Sequence, residues 1–375
     1  MWENIASPHQ SFFFSALAAH PQVDLEVRYF EKFHDERIDL GWQDQQELPE
    51  NEKYVEPDLR QALRTVPEWE KRIHIIPGNS YPFTRALIDH LSAIGVPWIH
   101  WSERSGIFIA QKLGFRMKLF QWIYPPLSRL QKASYAKTIN RHALGAFGQG
   151  ELALRDFANW GVETQKLAPL FYTIGPMPEG LSTPEDLKPF EDSHKIIYAG
   201  SLTRRKGVEY LIRAFSKLET PEKWLLVIVG DGPLRADLEK LVEELGLSEH
   251  VRFLGAKPIS QVPHYIHASD LFVLPTLFDG WGAVLNEAAA LGRAIVSTDQ
   301  CGAAYHLIEP GVNGYRVPAG NADALADALK RYVEEPARLP RHGEGSRRLY
   351  EENFTPQKNV ERFLRQLDIW TGANR

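Results

Sequence analysis

Short apolar runs that alternate with helix-period segments constrain this chain more than any other feature. A few apolar residues in a row make a buried strand. Apolar residues three and four apart make a helix with one face to bury. Repeating that pair gives βαβ units, which assemble as a parallel sheet with helices on both faces. In the second half the strand-like runs fall at 196–199, 224–229, 252–254, 271–274 and 294–297, and helical segments at 208–218, 234–245 and 283–291. The first half repeats the pattern less regularly. Strands are expected there at 23–30, 73–76, 97–101, 145–147 and 166–172, and helices at 84–94 and 151–160. The expected fold class is α/β, with two doubly wound Rossmann-like domains in one chain.

A length of 375 residues exceeds what one core usually holds, which agrees with two domains. Residues 173–193 carry four prolines and two glycines without apolar periodicity. That places an N-terminal domain at 1–175, a linker at 176–193 and a C-terminal domain at 194–354. Residues 355–375 read as an amphipathic helix that follows a completed sheet, and this helix is expected to pack back on the first domain. An α/β domain usually opens with an apolar strand, whereas Met1 is followed almost at once by Glu3 and Asn4. The first strand is therefore very short, or the chain begins inside it. A single cysteine, Cys301, excludes an internal disulfide framework and points to a reducing, cytoplasmic setting. The net charge of −5 speaks against nucleic acid as a partner. No run approaches the roughly 20 apolar residues of a membrane helix.

Open parallel sheets bind ligands beyond the carboxyl ends of their strands. After the run at 196–199 come Gly200, Ser201, Leu202, Thr203, Arg204, Arg205, Lys206 and Gly207, then a helix. Cations at a helix start oppose its dipole, and a bound anion removes that conflict. The alternative is a solvated basic turn. After the run at 271–274 come Asp279, Gly280, Trp281, Gly282, Ala283, Val284, Leu285, Asn286 and Glu287. The two glycines leave backbone N–H groups free for a phosphate. A carboxylate accepts the paired hydroxyls of a ribose, and a second carboxylate suits a sugar ring beyond the phosphates. Read singly, Asp279 and Glu287 are more often surface charges; together around a Gly-rich helix start they point to a ligand.

In order and spacing, 200–207, Gly230-Asp231-Gly232-Pro233, 251–255, Ala268-Ser269-Asp270 and 279–287 resemble the retaining glycosyltransferases of family 4. The resemblance covers nearly all of 196–318 and is poor over the first hundred residues. It implies a GT-B fold, with two Rossmann-like domains facing across a cleft. It also implies transfer of a sugar from a nucleotide diphosphate donor with retention, without a metal and without a resident cofactor. UDP is the commonest base in that family, so a UDP-sugar is the favoured donor, and the acceptor is expected to be a carbohydrate or lipid-linked. Carried over by position, Arg205 and Lys206 look like the pair on the diphosphate. Glu287 looks like the ribose ligand and Asp279 like the acid facing the sugar. Gly200, Ser201 and Gly280 shape the donor loops, Gly282, Ala283 and Val284 offer amides, and Phe253 and Leu254 line the base. Two departures stand out. Asp279 replaces the longer Glu usual at its position, and Ser201 replaces a frequent Arg. In accord with the metal-free expectation, the chain contains no Asp-x-Asp element.

In the first half, His100 and Glu103 follow an expected strand and are candidates to face the donor sugar. The alternative is a hydrogen-bonded strand-end histidine beside a salt-bridged Glu. His9 and Gln10 form a similar, weaker candidate. From Arg104 to Arg141 there are eight Lys or Arg residues and no Asp or Glu, mixed with Phe108, Leu119, Phe120 and Trp122. Cations among large aromatics suit a helix at an anionic membrane surface. The alternatives are a solvated face over a core, or a patch for a phosphorylated soluble acceptor. Two other functions compete. Gly230-Asp231-Gly232 is a lone Gly-x-Gly, a weak signal for a nicotinamide dehydrogenase. Asp279 in place of Glu hints at a catalytically silent nucleotide-sugar-binding protein.

Overall fold

The computed structural model describes residues 1–31, 48–219 and 223–373, apart from the side chains of Pro8 and His9. These residues group into two compact units. The first comprises 1–106, 122–175 and 356–375, and the second 107–121 and 176–355. The segment 107–121, placed by the sequence in an N-terminal domain 1–175, is thus grouped with the second unit. Its Phe120 ring meets Phe278 edge-on at 5.6 Å, and burying both rings outweighs sequence proximity.

The first unit holds β1 (Trp2–Glu3), β2 (Val27–Tyr29), β3 (Glu52–Tyr54), β4 (His74–Ile76), β5 (Trp98–Ser102), β6 (Gly145–Gly148) and β7 (Leu167–Pro169). They pair in parallel as β1-β2-β3 and β4-β5-β6-β7. Trp2 Nε1 donates to His74 Nδ1 at 2.9 Å, tying β1 to β4. Successive side chains of a strand point to opposite faces. Accordingly Trp98 packs with Leu87, Ile139 and Phe157, while Ile99 and Trp101 pack with Phe13, Phe14 and Phe147. The second of these cores is completed by the helix Pro356–Thr371. Buried Asn359 of that helix exchanges hydrogen bonds with the backbone of Phe171, and Phe363 lies 5.8 Å from Phe13 and 5.4 Å from Phe147.

The strands expected at 23–30 and 166–172 are shorter here. The last one ends at Pro169. β3, and the 26-residue helix Met117–His142, were not read from the sequence. Pro125 and Pro126 lie inside that helix and interrupt its pattern.

The second unit is one six-stranded parallel sheet of β8 (His194–Ala199), β9 (Trp224–Val229), β10 (Val251–Gly255), β11 (Leu271–Leu274), β12 (Ala294–Thr298) and β13 (Gly314–Val317). The order is β10-β9-β8-β11-β12-β13. All of β9, β11 and β12 is buried, as expected of strands covered on both faces. The chain reverses direction of winding between β8 and β11. That topological switch point is where ligands of such sheets bind.

Candidate functional site

The loops after β8 and β11 meet at the switch point and are joined by their backbones. Arg205 O accepts from Leu277 N at 2.7 Å and from Thr276 Oγ1 at 3.0 Å. The junction needs a glycine at 207. Its φ is +66°, and a Cβ there would lie 2.3 Å from Pro275 O. This fixes a short 3₁₀ turn, Arg204–Lys206, against the second loop. The two cations then converge on one carboxylate. Lys206 Nζ donates to Asp279 Oδ2 at 2.6 Å, and Arg205 Nη1 lies 3.4 Å from the same oxygen while donating to Phe278 O at 3.0 Å. Burial pushes the Asp279 carboxyl up, but Lys206 and Arg205 outweigh it and hold the pKa below the usual carboxylate range. Two cations face one anion, so the cluster carries a surplus positive charge.

A third loop, after β12, holds Asp279 from behind. Asp279 N donates to Gln300 O at 2.9 Å, and Gly302 N donates to Asp279 O at 3.3 Å. Gly282, at φ +90°, passes so close that its Cβ would sit 2.6 Å from Cys301 Sγ. The sequence reading missed residues 300–302. Their signal was a glycine, Gly302, in the loop after a fully buried strand, as Gly200 and Gly280 lie in the first two loops. The N–H groups of Gly282, Ala283 and Val284 donate to no acceptor among the described residues, as at any helix start without a cap. Buried Trp281 donates from Nε1 to Asn286 Oδ1 at 2.9 Å and so braces the loop on the helix Val284–Ala290.

Glu287 lies in the first turn of that helix. Burial raises its pKa to about 7, and its carboxyl has no partner among the described residues. Tyr198 donates to Ser201 O at 2.8 Å, setting the loop that opens at Gly200. Gly280 is buried at the second loop's turn, its O only 2.1 Å from where a Cβ on Gly302 would sit. Phe253 and Leu254 lie half-buried in β10, the edge strand on this side of the sheet.

His100 and Glu103 belong to the first unit. His100 is not poised as a base. It is buried, Nδ1 lies 3.0 Å from Tyr135 Oη and Nε2 2.9 Å from Ser102 Oγ, and burial lowers its pKa to about 3. Both nitrogens are committed, and the ring packs 4.8 Å from Phe157. Glu103 is exposed and hydrogen-bonds with Tyr172. The His9 side chain lies outside the described residues, while Gln10 is buried and hydrogen-bonds with Glu3. Glu3, at the carboxyl end of β1, was not singled out from the sequence; burial raises its pKa to about 8.

A pair of Rossmann-like units with this sheet order is the GT-B architecture of glycosyltransferases. Similarity to solved structures bears this out: HepE of Anabaena, determined in complex with UDP, superposes over 98% of this chain and 99% of its own with a TM-score of 0.74 at 16% identity. Residues 182–353 match the family model of glycosyl transferases group 1, which spans the three loops just described. The alpha-D-kanosaminyltransferase of Streptomyces kanamyceticus is 34% identical over 157 residues, 42% of this chain and 40% of the relative. The lipopolysaccharide core biosynthesis glycosyltransferase LpsD of Rhizobium meliloti is 29% identical over 183 residues, 49% of this chain and 52% of the relative. The matched stretch thus spans about half or less of these curated relatives.

Proposed function

We propose that the protein is a glycosyltransferase that moves a sugar from a UDP-sugar to a carbohydrate or lipid-linked acceptor. The observation that carries this reading is the surplus positive charge of Arg205 and Lys206 over Asp279 at the switch point, beside three free amides. A diphosphate supplies the missing negative charge. Its ribose lies within reach of the unpartnered Glu287 carboxyl, and its base lies toward Phe253 and Leu254. The relatives' printed activities, kanosaminyl transfer and glycosyl transfer in lipopolysaccharide core biosynthesis, support the reaction class. HepE's UDP complex supports the base.

In the proposed reaction the bond from sugar C1 to the diphosphate oxygen breaks as the acceptor oxygen bonds to C1. The acceptor proton passes to the departing phosphate oxygen, and the configuration at C1 is retained. Arg205, Lys206 and the amides of 282–284 stabilise the diphosphate charge, the part a metal plays elsewhere. In the family-4 reading Asp279 faces the sugar. The ion pair adds a second task, holding Lys206 in place. The setting is the cytoplasm, at the inner face of the membrane, in polysaccharide or glycolipid synthesis. Calorimetry with UDP, GDP and ADP tests the donor, and NMR of the anomeric configuration of the product tests retention. Binding of none of the three nucleotides overturns the assignment. Nucleotide-sugar binding without turnover across a broad acceptor panel favours the silent binder.

A further inference from the structure

The helix Met117–His142 has two dissimilar faces. At about 100° per residue, Tyr124, Ser128, Tyr135 and Ile139 fall within about 60° of one another, and all are buried. Trp122, Pro126, Arg129, Leu130, Lys137 and Arg141 fall within about 120° on the other side. Trp122 is 77% exposed and Leu130 80%. Single exposed apolar side chains are ordinary, but two of this size among three cations along one helix face form a patch. Arg129, Lys137 and Arg141 are exposed and have no ion-pair partner among the described residues. The helix contains no Asp or Glu, in a chain whose net charge is −5. Two of the eight cations counted from the sequence do not share this character: Lys132 donates to Asn79 Oδ1 at 2.8 Å, and Arg104 is half-buried.

We propose that this face is a docking surface for an anionic lipid bilayer. The three cations would bind phosphate headgroups, and Trp122 and Leu130 would enter the headgroup–acyl boundary. Charge identifies the occupant. Three cations without an ion-pair partner among the described residues, along about 18 Å of helix, match a surface of fixed negative charge. The large apolar residues between them need an acyl layer, which a soluble phosphate cannot offer. The inference rests on the glycosyltransferase reading only for why the enzyme would sit there: to reach a lipid-linked acceptor.

Sedimentation of the full chain with vesicles tests it. Binding to phosphatidylcholine–phosphatidylglycerol vesicles is expected to exceed binding to phosphatidylcholine alone by at least about tenfold, and to weaken as salt rises. Each basic residue near such a surface contributes about fivefold, so Arg129→Glu/Lys137→Glu/Arg141→Glu is expected to lose more than about a hundredfold. Trp122→Ser/Leu130→Ser is expected to lose about tenfold or more while keeping the salt dependence. Should the triple variant fail to fold, the comparison of lipids and salt with the wild-type protein decides. Equal partition between the two vesicle types overturns the proposal, as does a folded triple variant that still binds. So does loss, in the triple variant, of a dimer that forms without lipid, since the face would then serve a second copy. UDP calorimetry on the same preparations separates the two readings. Vesicle binding can fail with UDP binding intact, and UDP binding can fail with vesicle binding intact.

Discussion

The two units treat polar side chains toward the carboxyl ends of their strands in opposite ways. In the first, His100, the third of the five residues of β5, is buried, neutral and hydrogen-bonded at both ring nitrogens. In the second, Arg205 and Lys206 share one carboxylate, and the amides of 282–284 and the Glu287 carboxyl beside them have no partner among the described residues. Position alone selects both sets; the balance of partners separates them. A satisfied group holds the fold together, whereas a group left with excess charge or an empty hydrogen-bonding site awaits a ligand.

The largest effect is expected at the cations. Lys206→Ala and Arg205→Ala should each lower kcat by about 10²- to 10³-fold with the fold intact, read by steady-state turnover alongside circular dichroism. Wild-type turnover in both would remove the diphosphate from this site.

Asp279→Asn separates an acid that touches the sugar or holds Lys206 from one that binds nucleotide. Because the carboxylate neutralises part of the surplus charge, UDP affinity should be unchanged or higher, while kcat should fall about 10- to 150-fold. A matching loss of UDP affinity by calorimetry would show that Asp279 binds the nucleotide itself.

Glu287→Gln should weaken UDP by about 10- to 100-fold, the worth of charge-assisted hydrogen bonds. A pH series sharpens this. A carboxyl titrating at about 7 is protonated below that pH and then accepts fewer hydrogen bonds. UDP affinity should therefore rise with pH through 7 and level off above it. A wild-type protein and a Glu287→Gln variant with the same pH profile would assign that titration elsewhere.

The smallest effect on activity belongs to the first unit. His100→Ala removes a ring that two hydroxyls bind in the core, so stability should fall by about 1–3 kcal/mol, with UDP affinity unchanged. Differential scanning calorimetry reads the first and isothermal titration the second. A His100→Ala variant of normal Tm that cannot turn over would restore this residue to the chemistry.

The sequence by itself determined five of the second unit's six strands, because strands buried on both faces are long apolar runs; β13, two of whose four residues are only half-buried, and the helices Ala322–Glu334 and Arg338–Asn353 were not read. Glycines bracket each loop at the switch point, where the backbone turns sharply or passes close to another strand. Arg205, Lys206 and Asp279 drew attention as charges in those glycine-bracketed loops, and Glu287 as a carboxylate in the first turn of the helix that follows. The first unit was less legible. Its strands of two to five residues carry too few side chains for a period to show, and two prolines interrupt its longest helix. Only the tertiary structure decided how the polar groups are paired. It placed Lys206 on Asp279, brought 300–302 behind it, left Glu287 alone and closed His100 between two hydroxyls. Those partners lie from 2 to 73 residues away along the chain, and spacing carries no record of a hydrogen bond between segments that meet only when the chain folds.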